Sequence, residues 1–296
     1  MRSSANAEPG PARLFPAIFI FFLFMAACQK PSSKIKSTIK NSTANVVKKV
    51  KPPQVFSKKK RKKKLYITFD DGPNRGTGNV LHIVQDEQIP VTFFVVGEHV
   101  FASNPQRQMW DSLQIADHIA ICNHSYSHAK QRYAQYYQQP DSVVKDFLRT
   151  HDSLGLNNTI SRTPGRNIWR VDSLRFTDLK SSTAAADSLA KAGFVLLGWD
   201  LEWHYDHTSM TVKQSAEKMV QEIDSAFANG DMKQADHLVL LAHDQVYTTS
   251  DDSMQLRQFI KRLKEKDEYE LALVTNYPGA LRKLKRDSLL TKALRP

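Results

Sequence analysis

From residue 65 onward, the chain alternates between short apolar runs and segments with helical periodicity. The runs are five to seven residues long, as expected for buried strands, and lie at 65–69, 91–97, 118–122, 194–198, 237–242 and 270–274. Between them, apolar residues recur at helical spacing from Val143 to Leu154, with Asp141 as the expected N-cap, and again over 212–227. Repeated alternation of strands and helices predicts parallel strands joined by crossover helices. We therefore expect an α/β fold.

The N-terminal segment has the pattern of a targeting signal. Residues 14–27 form an apolar run of 14 residues after Arg2 and Arg13, which is short for a membrane span but typical of a signal peptide. The run ends in two alanines followed by Cys28, and it resembles a bacterial lipoprotein lipobox. The resemblance implies that residues 1–28 are a signal peptide and that Cys28 is lipidated. The protein is then extracytoplasmic and anchored to a bacterial membrane, in the periplasm or at the cell surface. A plain signal peptide and a marginal anchor are the alternatives.

The positive charge of the chain is confined to one segment. The net charge is +12, yet residues 29–64 hold 14 Lys or Arg without any Asp or Glu. Residues 65–296 carry 26 basic and 29 acidic side chains, so the remainder is slightly acidic. A nucleic-acid-binding function is therefore disfavoured, and we expect no nucleic-acid partner. The composition of 29–64 predicts a disordered linker, which either is a solvated spacer or lies against anionic lipid.

A single domain is expected over 65–285, with a tail over 286–296.

Side chains that can carry chemistry follow the ends of several predicted strands. These residues are Asp70, Asp71, His124, Asp200 and His243, with His128 four positions beyond His124. The carboxyl ends of parallel strands meet at one rim, where barrels and open α/β sheets build their active sites. Two histidines at helical spacing share a face, and with one carboxylate they supply the ligands of an open catalytic metal site. The second carboxylate of the Asp-Asp pair remains available as a base, so the pattern predicts metal-assisted hydrolysis.

Five ordered motifs resemble those of a known family. They are TFDDGP, HSYSH, Arg162-Thr163-Pro164-Gly165, Trp199-Asp200-Leu201-Glu202-Trp203 and Leu241-Ala242-His243. Together they resemble the polysaccharide deacetylases, carbohydrate esterase family 4, whose catalytic unit is the NodB homology domain. The third motif lacks the aromatic residue that usually follows its proline, and the fourth has Glu202-Trp203 where Asp-Trp is usual. The resemblance covers residues 65–243 and implies a single catalytic domain folded as a distorted (β/α) barrel.

The resemblance also implies roles for individual residues. A divalent metal, usually zinc with cobalt or nickel as alternatives, would be held by Asp71, His124 and His128. Asp70 would be the general base, His243 the general acid toward the leaving amine, and Arg162 the residue that orients the base. The substrate pocket would be lined by Pro164, Gly165, Trp199, Asp200, Glu202, Trp203 and Leu241. Either Asp200 or Glu202 could keep His243 protonated, and the sequence leaves that choice open.

The implied function is a metal-dependent hydrolase that removes N-acetyl groups from a glycan. Peptidoglycan, a chitin-like oligomer and an exopolysaccharide are the candidate substrates. An O-acetyl esterase, or a hydrolase of small amides or imides, would use the same motifs. A glycan-binding lipoprotein without turnover is the alternative of a different class. The acetylated glycan and the membrane are thus the expected partners, and no oligomeric state is predicted.

Overall fold

The computed structural model describes residues 62–293, with side chains described up to residue 286. The expected signal peptide, its Cys28 and the basic linker up to residue 61 lie outside the described residues. Among the helices within this range, none combines the length and the apolar character that a membrane span requires.

Strands and helices alternate along the described chain. Its strands are β1 (Lys63–Asp70), β2 (Val91–Val95), β3 (Ile119–Asn123), β4 (Ile160–Ser161), β5 (Ile168–Val171), β6 (Leu174–Thr177), β7 (Val195–Leu196), β8 (Leu201–Glu202), β9 (Tyr205–Asp206), β10 (Thr211–Val212), β11 (His237–His243) and β12 (Tyr269–Leu271). Its helices are α1 (Thr77–Asp86), α2 (Gly97–Val100), α3 (Asn104–Ile115), α4 (Tyr133–Tyr137), α5 (Pro140–Leu154), α6 (Thr183–Lys191), α7 (Ala216–Asn229), α8 (Ser250–Lys266) and α9 (Ala280–Ala293).

Most strands join a single curled sheet. Within the described residues the order is β6-β5-β7-β4-β3-β2-β1-β11-β8, and β12 pairs with the start of β1. The pairs from β4 through β3, β2, β1 and β11 to β8 are parallel. This arrangement is the distorted (β/α) barrel expected from the sequence, and that prediction is confirmed. The expectation of parallel strands is wrong for β5, which pairs antiparallel with β6 and β7. The reason is the tight connection between β5 and β6, since so short a link can join only antiparallel neighbours.

Alternation along β1 decides which side chains reach the interior of the curled sheet. Leu65, Ile67 and Phe69 pack in the hydrophobic core beneath the outer helices. Tyr66 points to the other face, where it contributes to the inner core. Because side chains alternate along a strand, Thr68 and Asp70 share the face of Tyr66. The inner face therefore carries a polar side chain at the carboxyl end of β1.

The predicted elements agree with the structure except at their boundaries. Each of the six apolar runs overlaps a strand of the sheet. The helix expected after an Asp141 cap begins two residues earlier, at Pro140, with Gln139 as its N-cap. Val212 belongs to β10, and α7 begins at Ala216 because the Ser215 side chain accepts a hydrogen bond from the Lys218 amide.

Two elements extend across the expected domain boundaries at residues 65 and 285. The strand β1 starts at Lys63, before the expected boundary at residue 65, because its first residues pair with β12. The expected end of the domain at residue 285 lies inside α9, which continues to Ala293.

Candidate active site

The first two carboxylates of the site lie at the carboxyl end of β1. Asp70 is the last residue of this strand and pairs in register with His243 of β11 and Phe94 of β2. Asp71 then adopts a left-handed backbone conformation with φ of 77°. Aspartate tolerates this region better than most residues, and the change of direction separates the two side chains. Adjacent acidic residues can therefore take different roles at one rim.

The two histidines are brought together by a loop after β3. His124 follows Asn123, whose side-chain oxygen accepts a hydrogen bond from the Ser125 amide at 2.8 Å. Ser125 has a φ of 66°, and its hydroxyl oxygen accepts from the His128 amide at 3.1 Å. The expectation that His124 and His128 share a helical face is therefore wrong. Local hydrogen bonds from polar side chains replace the helical pattern here, as such side chains commonly do at turns.

Asp71, His124 and His128 form a compact set of possible metal ligands. One ligand atom from each lies within 4.8 Å of the other two. Oδ1 of Asp71 is 3.4 Å from Nε2 of His124 and 3.0 Å from Nε2 of His128. That oxygen is buried and has no hydrogen-bond partner of good geometry among the described residues. A buried acceptor without a donor, facing two imidazole nitrogens, is the environment that a cation satisfies.

The tautomer of His124 also fits a metal. Its Nδ1 lies 3.0 Å from the carbonyl oxygen of Arg162, which can only accept a hydrogen bond. Nδ1 therefore donates, and the lone pair of neutral His124 lies on Nε2, toward Asp71. Histidines that bind a metal through one ring nitrogen typically donate a hydrogen bond from the other, as Nδ1 of His124 does here. One carboxylate and two imidazoles are the donor set of an open catalytic zinc site, so these residues fit the divalent metal expected from the sequence.

The charged groups of this cluster shift the pKa values of Asp71 and His124. Burial raises the pKa of Asp71, but the two imidazoles lower it by more, so that the pKa lies well below its usual range. Burial lowers the pKa of His124, but the carboxylates of Asp70 and Asp71 raise it by more. Asp71, His124 and His128 would hold a divalent ion in their deprotonated forms, so that metal binding would release protons from this cluster.

Loss of one imidazole is expected to weaken metal binding strongly. We expect His124→Ala and His128→Ala each to lower zinc affinity at least roughly 100-fold, because even outer hydrogen-bond partners of ligands contribute about 10–100-fold. Competition with a chromophoric chelator measures this affinity. His82→Ala is the matched control, since this imidazole is 73% exposed on α1. Full zinc occupancy of either ligand variant at sub-micromolar free metal would show that the ligand set is different.

Arg162 fixes the position of Asp70. Its guanidinium donates to Oδ1 of Asp70 at 2.8 Å and to the Thr68 hydroxyl at 2.7 Å. The other donors reach the carbonyl oxygens of Leu197 at 3.1 Å and Gly198 at 2.8 Å. Arg162 is fully buried, and Asp70 is 2% exposed. The role of orienting residue expected for Arg162 is thus consistent with a buried guanidinium held by four hydrogen bonds.

His243 lies at the strand end next to Asp70. It ends β11, and the Tyr205 ring packs against its imidazole at 5.1 Å between centroids. Nδ1 of His243 is buried and has no hydrogen-bond partner among the described residues. The side chain is otherwise half-buried, so part of the ring faces the rim.

Asp200 and Glu202, the two carboxylates expected near His243, form their described hydrogen bonds and ion pairs with other groups. The carboxylate of Asp200 accepts hydrogen bonds from the amides of Lys233 at 2.8 Å and Val239 at 2.9 Å. Burial raises the pKa of Asp200 to about 6, against the opposing effect of these hydrogen bonds. Glu202 instead pairs with His204 at 3.4 Å. The expected carboxylate-to-histidine contact is therefore not formed by either residue.

The expected pocket residues divide between the rim and the outer core. Trp203 is 2% exposed, and its indole packs 4.9 Å from Phe259 and donates to the Gln214 carbonyl. Its assignment to the pocket is wrong, because alternation after Leu201 directs it into the outer core. Leu241 alternates with the outer-core residues of β11 and shares the inner face with His243.

Pro164 and Gly165 contact tyrosines of α4, and Trp199 lies against Arg162. Pro164 is buried, and its carbonyl accepts from the Tyr137 hydroxyl at 2.6 Å. Gly165 is exposed, and a Cβ at this position would lie 2.9 Å from the Tyr133 ring. Trp199 is half-buried, with its ring 6.0 Å from the guanidinium carbon of Arg162. The third motif thus ends at an open backbone turn beside an aromatic ring.

Substitution of Gly165 separates the effect of crowding from that of backbone conformation. Gly165 and Gly155 both have φ of 60°, but a Cβ at Gly155 would contact nothing within 4 Å. Gly155→Ala should therefore cost only the left-handed penalty, about 1–2 kcal/mol of unfolding free energy. We expect Gly165→Ala to cost more, because the Tyr133 ring must also move. Chemical denaturation measures both values, and equal losses would contradict the close approach at Gly165.

The structure adds residues that the sequence did not single out for this site. Gln245 donates from Nε2 to Oδ2 of Asp71 at 3.4 Å and to the Tyr205 hydroxyl at 3.1 Å. Asp244 is fully buried, and its carboxylate accepts from Thr77 at 2.6 Å and from Asn74. Burial raises the pKa of Asp244 to about 7, although these hydrogen bonds lower it. The available signal for Asp244 and Gln245 was their position directly after the strand that ends at His243.

Comparison with known proteins shows that the chain is similar to polysaccharide deacetylases. A family model described as polysaccharide deacetylase matches residues 57–170. YheN of Bacillus subtilis, assigned as a polysaccharide deacetylase, is 27% identical over 214 residues, which cover 69% of this chain and 64% of that protein. The peptidoglycan-N-acetylglucosamine deacetylase of Bacillus cereus is 24% identical over 176 residues, 58% of each chain. These matches support the polysaccharide deacetylase family. The chain spans less than two thirds of the length of both relatives.

Solved structures of polysaccharide deacetylases and related esterases share the fold. A carbohydrate esterase family 4 esterase of Streptococcus mutans superposes with a TM-score of 0.51 at 24% sequence identity. The match covers 72% of this chain and 86% of the esterase. At this identity the likeness shows the fold, and the roles of individual residues rest on the geometry described above.

Proposed function

We propose that this protein is a metal-dependent hydrolase that removes N-acetyl groups from a glycan. The observation that carries the proposal is the cluster of Asp71, His124 and His128 beside the buried Asp70–Arg162 pair, with His243 on the neighbouring strand end. The family match and the relatives, which are named as deacetylases, support the same reaction.

Asp70 is the proposed general base. One of its carboxylate oxygens is held by Arg162, and the other lies 3.7 Å from Nε2 of His124. Asp70 thus faces the ligand set without being a member of it, and it can accept the proton of the attacking water. A divalent ion held by Asp71, His124 and His128 would supply Lewis acidity and lower the pKa of that water.

His243 is the proposed general acid. The register between β1 and β11 places it opposite Asp70, so that a base and an acid flank the same position. Its role is to donate a proton to the nitrogen that leaves as an amine. Because no described residue is hydrogen-bonded to Nδ1, the orientation of His243 rests on packing against Tyr205.

A panel of substrates tests this function. Acetate release by the zinc-loaded full-length chain is measured on N-acetylglucosamine oligomers, peptidoglycan and acetyl-xylan. We expect release from at least one N-acetylated glycan. Release from acetyl-xylan alone would establish the O-acetyl esterase instead, and a metal-loaded chain that binds glycan without releasing acetate would establish the binding protein.

We also propose that the protein acts outside the cytoplasm, anchored through lipidated Cys28. The support is the sequence of residues 14–28, together with a linker whose basic residues suit a spacer near a membrane. Zinc is the proposed metal, with cobalt and nickel as alternatives.

Fractionation of cells tests the anchor. We expect Cys28→Ser to move the protein from the membrane fraction to the soluble fraction, because a thioether-linked lipid cannot form on serine. Cys122→Ser is the matched control, since this thiol is buried in the domain. Persistence of Cys28→Ser in the membrane fraction would favour an uncleaved anchor or lipid binding by the basic linker.

A further inference from the structure

A cavity of about 500 Å³ lies beside the ligand set, on the side of His128. It is lined by Gln131, Arg132, Tyr133, Ala134, Gln135 and Arg166. The cavity adjoins the ligand set through two of these residues. The Tyr133 ring lies edge-on to His128 at 5.9 Å, and the Gln131 amide nitrogen is 3.5 Å from Nδ1 of the same imidazole. A glycan bound at the ligand set could therefore extend into this cavity.

The cavity is positively charged. Arg132 and Arg166 are its ionisable residues of fixed charge, and no Asp or Glu is among the described residues that line it. Neither guanidinium forms an ion pair within the described part of the chain. The nearby carboxylate of Asp178 is already bonded to the amides of Asn167 at 3.0 Å and Leu179 at 2.7 Å. The lining of the cavity thus carries a net positive charge, and the Asp178 carboxylate is not among its residues.

Arg166 is held in place but incompletely bonded. Its guanidinium carbon lies 5.9 Å from the Tyr133 ring and 5.8 Å from the Tyr137 ring, within the range of cation–π attraction. One terminal nitrogen donates to the Gly165 carbonyl at 2.6 Å. Its Nε is buried and has no hydrogen-bond partner among the described residues. A buried donor without an acceptor is unfavourable in the free protein, and a ligand oxygen relieves that cost.

We propose that this cavity is a subsite for a sugar residue that carries a carboxylate. The inference rests on the proposed function, because it names the class of N-acetylated glycan that the same site takes. A guanidinium fork matches the geometry of a carboxylate, and the Tyr133 ring offers an apolar face to a sugar. The glutamines at the edge of the cavity can bond hydroxyl groups. Arg166 stands directly after the open turn of the third motif, so the subsite adjoins the position of the reacting acetamide.

Calorimetric binding to the full-length chain tests the proposal without relying on turnover. The probes are two tetrasaccharides of equal length, one of N-acetylglucosamine alone and one in which N-acetylglucosamine alternates with a uronic acid. We expect the carboxylated probe to bind at least about 10-fold more tightly, a difference of roughly 1.4 kcal/mol. Raising the salt concentration should reduce this preference, because the arginines remain partly accessible to solvent.

Variants of the two arginines test whether the preference for the carboxylated probe arises in this cavity. Arg166→Gln should reduce it to within about twofold, and Arg132→Gln, which alters an exposed side chain, should reduce it in part. Arg175→Gln is the control of equal charge change, because Arg175 is 60% exposed and pairs with Asp187 away from this cavity. If Arg166→Gln fails to fold, Arg132→Gln carries the test.

The outcomes test the subsite and the proposed function separately. Equal binding of the two probes, no binding of either, or a preference that survives both arginine variants would overturn the subsite. A carboxylate preference in a chain that releases no acetate would overturn the deacetylase function and retain the subsite. Acetate release by a chain that shows no preference for the carboxylated probe would support the deacetylase function and overturn the subsite.

Discussion

Replacement of Asp70 by asparagine is expected to lower kcat for acetate release by roughly 10²–10⁴-fold, the usual contribution of a positioned base. Asparagine preserves the shape of the side chain and can still accept from Arg162, but it cannot accept the proton of the attacking water. Zinc content should stay near that of the unaltered protein, because Asp70 lies outside the set formed by Asp71, His124 and His128. Steady-state kinetics and elemental analysis measure the two quantities on the same preparation.

A surface aspartate provides the control for this substitution. Asp111 is exposed on α3 and lies 3.7 Å from Arg107, so Asp111→Asn removes the same charge away from the rim. Its kcat and zinc content should be those of the unaltered protein. Loss of zinc from Asp70→Asn would show that both carboxylates bind the metal, and retention of full activity would remove Asp70 from the mechanism.

Replacement of Arg162 by methionine is expected to lower the free energy of unfolding by about 3–5 kcal/mol, because it leaves a buried carboxylate without its partner. Arg162 is fully buried and also bonds two carbonyl oxygens and the Thr68 hydroxyl, which would lose their donor. Equilibrium denaturation by urea, followed by circular dichroism, measures this loss. Arg175→Met, on an exposed side chain, should change the same quantity by only about 0.5 kcal/mol.

A double variant separates the ion pair from the other contacts of Arg162. In Arg162→Met with Asp70→Asn, no buried charge remains unpaired, so we expect the combined loss to be clearly smaller than the sum of the two single losses. Additive losses would show that the guanidinium stabilises the fold through its carbonyl contacts and not through Asp70.

The fold follows closely from the pattern of the sequence, with exceptions that have local causes. The long strands β1, β2, β3 and β11 are buried on both faces, and such strands appear in sequence as continuous apolar runs. The antiparallel β5 was not predicted, because its four residues include Arg170. That side chain is 7% exposed and pairs with Asp187 at 2.7 Å, a tertiary contact without a sequence signal.

The ligand set could be predicted from position, but its local geometry could not. The strand ends place Asp71 and His124 at one rim, which the topology alone requires. The positive φ angles of Asp71, Ser125 and His128 have no periodic signature. They depend on side-chain hydrogen bonds within the loops, such as that from the Ser125 amide to Asn123.

The support of His243 was the least predictable part of the site. Sequence spacing placed Asp200 and Glu202 near it, but the backbone amide of Val239 and the His204 imidazole engage these carboxylates instead. The ring that does contact His243 belongs to Tyr205, in the short hairpin of β9 and β10. Two-residue strands carry too little pattern to be recognised in sequence.

We propose that Asp71, His124 and His128 hold a divalent metal on which acetate release depends. The most direct test of this proposal is to strip the full-length chain with a chelator, titrate zinc back, and measure acetate and free amine released from an N-acetylated glycan. We expect both products to appear in equal amounts and to rise with bound zinc until one ion is bound per chain. Release that is independent of zinc, or a fully loaded chain that releases neither product from any glycan of the panel, would contradict it.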